Sequence, residues 1–124
     1  MKITKVDAIQ IEDKPADQPG WRPIVCRVYT DTGLYGDGEA AIAYGVGSTA
    51  AYGMIQDLAK LIIGMNPLDT EVIWEKLYKS TFWAQNGGPI KKSSDLTVYF
   101  AVSAITLEKF LSFDLTLLTS TTGV

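Results

Sequence analysis

The sequence predicts an α+β domain, a three-stranded antiparallel meander followed by a helical bundle. Three observations predict it. Residues 22–29 (RPIVCRVY) alternate, with Ile24, Cys26 and Val28 on one face and Val25, Arg27 and Tyr29 on the other, as in a sheet packed on one side. Residues 30–33 (TDTG) then form a tight turn into a return strand at 34–41. From residue 48 onward the apolar residues change to the 3, 4, 7 spacing of helices with one buried stripe.

The elements follow in order. Residues 2–12 (KITKVDAIQIE) place Ile3, Val6, Ile9 and Ile11 on a first strand, with a slip in phase near Asp7 and Ala8 that predicts a bulge or bend. Two prolines and a glycine in 13–20 break structure and make a polar loop. In the hairpin, Asp31 bonds back to the main chain and Gly33 supplies a positive φ. The return strand carries Gly36-Asp37-Gly38-Glu39 and runs into a small-residue loop at 40–47. Ser48 or Thr49 caps a helix through residue 63, with Ala51, Met54, Ile55, Leu58, Leu61 and Ile62 inward and Gly64 as a left-handed stop. Asp69 or Thr70 caps a second helix to about residue 83. Val72, Ile73, Leu77 and Phe82 point inward there, and Glu75 and Lys79 pair on the solvent side. A third helix over 96–113 presents Leu96, Tyr99, Phe100, Ser103, Leu107, Phe110 and Leu111 on one stripe. The uncharged end at 115–124 is expected to fray or to need a partner.

Composition excludes several classes. The chain has 124 residues, 11 Lys and Arg against 14 Asp and Glu, and a net charge of -3. The basic residues do not cluster on one face, so nucleic acid is not an expected partner. No stretch reaches the roughly 20 apolar residues of a membrane span, and residues 1–12 alternate like a strand instead of forming a signal peptide. With a single cysteine, Cys26, no disulfide framework or zinc spacing exists, and a cytoplasmic location is expected. There is no histidine, which removes imidazole-based triads, His metal sites and the usual neutral-pH base.

The residues alone show no complete catalytic constellation and no metal site. Asp37 and Glu39 share a strand face, but two carboxylates are fewer than a divalent oxygen site uses, so they are read as solvated or hydrogen-bonded. Gly33, Gly36 and Gly38 precede no helix N-terminus and make a poor dinucleotide fingerprint. Trp21 is either a strand-start residue packing on the sheet or the rim of a pocket beside Arg22. Tyr44 is either a ligand contact or an anchor.

The motifs TDTGLYGDGEA (30–40), IIGMNPLDTEVIWEKLY (62–78) and FWAQNGGPI (82–90), with the opening strand, resemble the N-terminal capping domain of the enolase superfamily. The branch they are most similar to is the mandelate racemase/muconate lactonizing enzyme group, particularly its sugar-acid dehydratases. The likeness runs over residues 1–90. Residues 91–124 are read as a divergent third helix and tail, with Ser103-Ala104-Ile105 echoing a family helix start.

The resemblance implies a cap that closes over a modified TIM barrel. That barrel holds Mg²⁺ on acidic residues and abstracts the proton α to a carboxylate. A barrel of that kind requires roughly 200 residues and is absent here, so no catalytic residue, metal ligand or cofactor is expected for this chain alone. The resemblance also implies two loops, 13–22 and 41–47, that shape the substrate pocket. Trp21, Arg22 and Tyr44 thereby become substrate-binding candidates, with Trp83 beside a third loop, the glycine-containing 85–89, a further one. The expectation is the cap of a Mg²⁺-dependent acid-sugar dehydratase or racemase-type enzyme, truncated and inactive alone, that meets its acid-sugar substrate only with a barrel. The alternative is a non-enzymatic module derived from such a cap, a homo-oligomer or partner-binding domain that uses the third helix and tail.

Overall fold

The structure is a computed structural model and describes residues 1–11, 20, 22–40, 48–80, 94–107 and 109. Its strands are β1 (Ile3–Gln10), β2 (Ile24–Thr30) and β3 (Tyr35–Glu39), an antiparallel sheet in the order β1-β2-β3. Helices α1 (Ser48–Ile62) and α2 (Thr70–Lys79) follow, and α3 spans 94–107.

The alternation in β2 is realised as expected: Ile24, Cys26 and Val28 are fully buried, while Val25, Arg27 and Tyr29 face the other way. Gly33 closes the hairpin at a φ of 85°, with Thr30 Oγ1 donating to the Leu34 carbonyl at 2.7 Å. Asp31 reaches further than its own turn. Its carboxylate accepts the Lys2 N–H at 2.9 Å and its N–H donates to the Lys2 carbonyl at 3.0 Å, which ties the start of β1 to the hairpin tip.

The irregularity in β1 falls between Ile3 and Lys5, earlier than the slip predicted near Asp7 and Ala8. Ile3 exchanges main-chain bonds with the connector after α1, donating to Met65 at 2.9 Å and accepting from Gly64 at 2.8 Å. That second attachment displaces Ile3 from a regular register with β2. Gly64 makes it by turning left-handed, with a φ of 85°. Val6 and Ala8 then face the core, and Ile9 and Ile11 point outward, 43% and 49% exposed.

Helix α1 buries Ala51, Ile55, Leu58, Ala59 and Ile62, with Met54 and Leu61 packed against that core. Helix α2 buries Ile73 and Leu77, but Val72, expected inward, is 57% exposed, because it lies about 100° round the helix from Ile73 and off the buried line. The Glu75–Lys79 pair forms at 3.7 Å. Phe82 lies outside the described residues.

Helix α3 turns a different face to the sheet than its bulky stripe predicts. Val98, Ala101, Val102 and Ile105 are fully buried, whereas Phe100 and Leu107 are 55% and 60% exposed. The reason lies in β3. A Cβ on Gly36 would strike the Ala101 carbonyl oxygen and stand 3.0 Å from Ile105 Cγ1, and one on Gly38 would strike the Thr97 carbonyl oxygen and stand 3.1 Å from the Ala101 nitrogen. Two alternate glycines on one strand face thus admit the backbone of a helix, and a helix lying that close must turn small residues toward the strand. The division expected after residue 90 lies outside the described residues. The α3 residues share one core with Ile3, Ile24, Val28, Ile55 and Ile73.

Candidate functional site

One end of the sheet gathers the sites where loops leave it. Strand β1 stops at Gln10, β2 begins after Arg22, and β3 stops at Glu39 just before Ala40. Two main-chain bonds hold these strand ends together: Ile11 N–H to the Pro23 carbonyl and Ala40 N–H to the Ile24 carbonyl, both at 2.9 Å. The side-chain amide of Gln10 donates to Ser48 Oγ at 3.1 Å and Thr49 Oγ1 at 3.4 Å, which brings the start of α1 to the same end. Helix α3 also begins here. Ala101 lies over Gly36 and Thr97 over Gly38, so the run from Ala101 back to Ser94 climbs toward Glu39.

The buried polar residues concentrate at this end. Six polar or charged residues are buried among those described: Arg22, Thr30, Ser48, Ser94, Asp95 and Thr97. Thr30 belongs to the hairpin tip at the far end, and the other five belong to the loop end. Polar groups in a core are costly unless they are hydrogen-bonded, so five in one place mark the end of the domain where packing alone does not decide the sequence.

Arg22 is the one predicted site residue that the structure describes. It is only 2% exposed, so its guanidinium works from inside the base of the loops and not from an open rim. Trp21, Tyr44 and Trp83 lie outside the described residues, as do most of 13–20 and all of 41–47. Ser94, Asp95 and Thr97 were missed as site-end residues. Ser94 and Asp95 read from sequence as part of a polar loop and helix cap, and the structure buries both.

Of the acidic pair on β3, Asp37 is engaged in an ion pair within the sheet. Register pairing sets Asp37 opposite Arg27, and the two form a bidentate pair at 2.7 and 2.8 Å. The Arg27 guanidinium holds the Asp37 carboxyl below its ordinary value. Among the described residues no group of three or more His, Cys, Asp or Glu could hold a metal ion. Mg²⁺ therefore has no fitting ligand set among the described residues. Burial first, then the charges of Asp37 and Asp7, pushes the Cys26 thiol up to about 12, which makes it a structural thiol and not a nucleophile. No described helix is long and apolar enough to cross a membrane.

Comparison with known proteins bears on this end of the fold. Residues 21–108 match the family described as mandelate racemase / muconate lactonizing enzyme, N-terminal domain. The chain is 33% identical over 72 residues to a D-mannonate dehydratase of Novosphingobium aromaticivorans, covering 58% of this chain and 17% of that protein. It is 30% identical over 90 residues to a D-galactonate dehydratase family member of Streptomyces bingchenggensis, covering 73% and 21%. A crystal structure of an enolase superfamily member from Salmonella Typhimurium superposes with a TM-score of 0.79 at 42% identity, covering 88% of this chain and 27% of that one. The chain thus spans about a fifth of the length of these curated relatives (17% and 21%).

Proposed function

The chain belongs to the mandelate racemase / muconate lactonizing enzyme N-terminal domain family, and from that premise we propose that it is the capping domain of an acid-sugar dehydratase. The observation that carries the reading is the gathering of Arg22, Ser48, Ser94, Asp95 and Thr97 at the sheet end from which the two loops leave. A cap acts through loops that lean over a substrate, and loops hold a useful shape only if their roots are rigid. Paired strand ends and buried polar groups supply such roots.

In this reading the reacting groups belong to a barrel outside this chain. Mg²⁺ would be held there too, and would supply charge stabilisation for the removal of a proton α to a carboxylate. The cap contributes specificity. Trp21 and Tyr44 wall the pocket, Trp83 stands beside the third loop, and Arg22 fixes the loop base. The substrate class is an aldonate, in line with the names of the relatives, which are D-mannonate and D-galactonate dehydratases. The chain alone is inactive. The test is turnover by the purified 124-residue chain with D-mannonate or D-galactonate and Mg²⁺, read as release of the α-keto acid. None is expected, and measurable dehydration by the chain free of other enzyme would overturn the reading.

A further inference from the structure

Helices α2 and α3 meet in an aromatic corner. Glu71, Trp74 and Tyr78 recur at the three- and four-residue spacing of one helix stripe, beside the buried line of Ile73 and Leu77. Leu96 and Tyr99 reach the same place from α3. The Trp74 and Tyr99 rings have centres 5.4 Å apart and planes at 72°, so they stand as two walls. Tyr78 stacks along Trp74 at 6.4 Å, and Phe100 packs edge-on to Tyr99 at 6.0 Å, which braces both walls. The Tyr99 hydroxyl donates to Glu71 Oε1 at 3.2 Å and holds the carboxylate at the corner. Among the described residues, Glu71, Trp74, Leu96 and Tyr99 line a notch of about 220 Å³ there. Trp74 and Tyr99 are half-buried and Glu71 is exposed, so the notch opens to solvent.

We propose that this notch binds a quaternary-ammonium group, as carried by choline. The lining selects it in three ways. The faces of Trp and Tyr rings carry negative quadrupole charge and attract a cation, Trp most strongly. Glu71 adds a full negative charge, and among the described residues its one partner is the Tyr99 hydroxyl. The rest of the lining is apolar, and that decides which cation fits. A primary ammonium brings three N–H donors, and a single carboxylate leaves some of them facing hydrocarbon. A quaternary ammonium has no N–H to satisfy, so its methyl groups can lie against Trp74, Tyr99 and Leu96 with its charge toward Glu71. The same inventory disfavours a sugar. Hydroxyls ask for donors as well as acceptors, a carboxylate only accepts, and the one hydroxyl donor is already committed to Glu71.

The size agrees. Drug-sized pockets run from about 300 to 1,000 Å³, and this notch is smaller, on the scale of one headgroup. A second hollow of about 370 Å³, between Leu68, Thr70, Ser103, Thr106 and Leu107, has no charged residue in its lining and no hold on a cation. Two ring faces and one exposed carboxylate give weak, salt-sensitive binding, with a dissociation constant on the order of 1 mM. The notch uses none of Arg22, Ser48, Ser94, Asp95 and Thr97, so the proposal is independent of the capping reading.

The test titrates the 124-residue chain with choline chloride at constant ionic strength. Saturation transfer to the choline methyl protons reads binding in every variant, and the shift of the Trp74 indole N–H places it in the parent. Saturation is expected by about 50 mM, with tetramethylammonium displacing choline and ammonium displacing it at least roughly fivefold less well. Glu71→Gln, at an exposed position, should weaken binding roughly fivefold. Trp74→Leu should abolish it, and Trp74→Phe should retain part of it. Circular dichroism checks that each variant folds. Sedimentation with phosphatidylcholine vesicles separates two sources of the same group: cosedimentation assigns a lipid headgroup, and choline binding without it assigns the free solute. No saturable choline binding by about 50 mM, ammonium competing as well as tetramethylammonium, or unchanged binding in folded Glu71→Gln would overturn the proposal.

Discussion

Replacing Gly36 by alanine puts a methyl group where the Ala101 carbonyl oxygen already sits, and Gly38→Ala does the same at the Thr97 carbonyl. Both obstacles are main-chain atoms inside a helix, so no rotamer change relieves them. The helix must retreat by about 1 Å, and a gap of that size forfeits roughly a quarter to a half of each facing contact. Four fully buried side chains, Val98, Ala101, Val102 and Ile105, share that loss. Overpacking of a core ordinarily costs about 1–3 kcal/mol, and displacement of a whole helix face belongs at the upper end, about 3 kcal/mol for either variant. The double variant should cost less than the sum, because both methyls push the same helix the same way. Urea denaturation followed by circular dichroism reads the change as a lower midpoint. Gly53→Ala in α1 is the control, since a Cβ there meets nothing within 4 Å, and it should gain about 0.5–1 kcal/mol. If Gly36→Ala and Gly38→Ala both stay within about 0.5 kcal/mol of the parent, the close seat of α3 on β3 is wrong.

Three further outcomes follow from single residues. Cys26 should resist thiol reagents at neutral pH in the folded chain and react once denaturant is added. With the thiol moved from its ordinary 9.0 up to about 12, the unfolded chain releases its proton first. Stability should therefore fall as pH rises from 9 toward 12, with a shallower fall in Cys26→Ala. Asp37, held low by Arg27, contributes stability that is full above its ordinary 3.8 and fades as pH falls through its lowered folded value. Asp37→Asn should remove that acid-side component, a small effect because the pair is more than a third exposed. Gly33→Ala and Gly64→Ala should each cost about 1 kcal/mol by thermal melting, from the left-handed backbone alone.

The strands and the first two helices were legible because their signals are local. Alternation in β2, the TDTG turn and the stop at Gly64 need only neighbours in the chain. The bulge in β1 was misplaced because its cause, the bond pair between Ile3 and the Gly64–Met65 connector, comes from residues sixty positions away. The face of α3 was misread for a related reason. A stripe chosen by side-chain bulk selects Tyr99 and Phe100, but the neighbour is a strand of glycines, and the small Ala101 is what fits. Reading Gly36 and Gly38 as a seat for a helix would have found it. At the site end, Arg22 was named but its burial was not foreseen, since nothing in an RP pair tells a rim from a root. The burial of Ser94 and Asp95 depends on where α3 lies, which their own neighbours in the chain do not show.

A domain that caps an acid-sugar dehydratase, as proposed, should work over the barrel of a relative. The most direct measurement joins residues 1–108 in frame to the remainder of the D-mannonate dehydratase of Novosphingobium aromaticivorans and assays dehydration of aldonates. Turnover by the folded fusion is expected, with Arg22→Ala lowering kcat/KM and changing the ratio between aldonates. A fusion that folds and binds Mg²⁺ yet dehydrates no aldonate would contradict it.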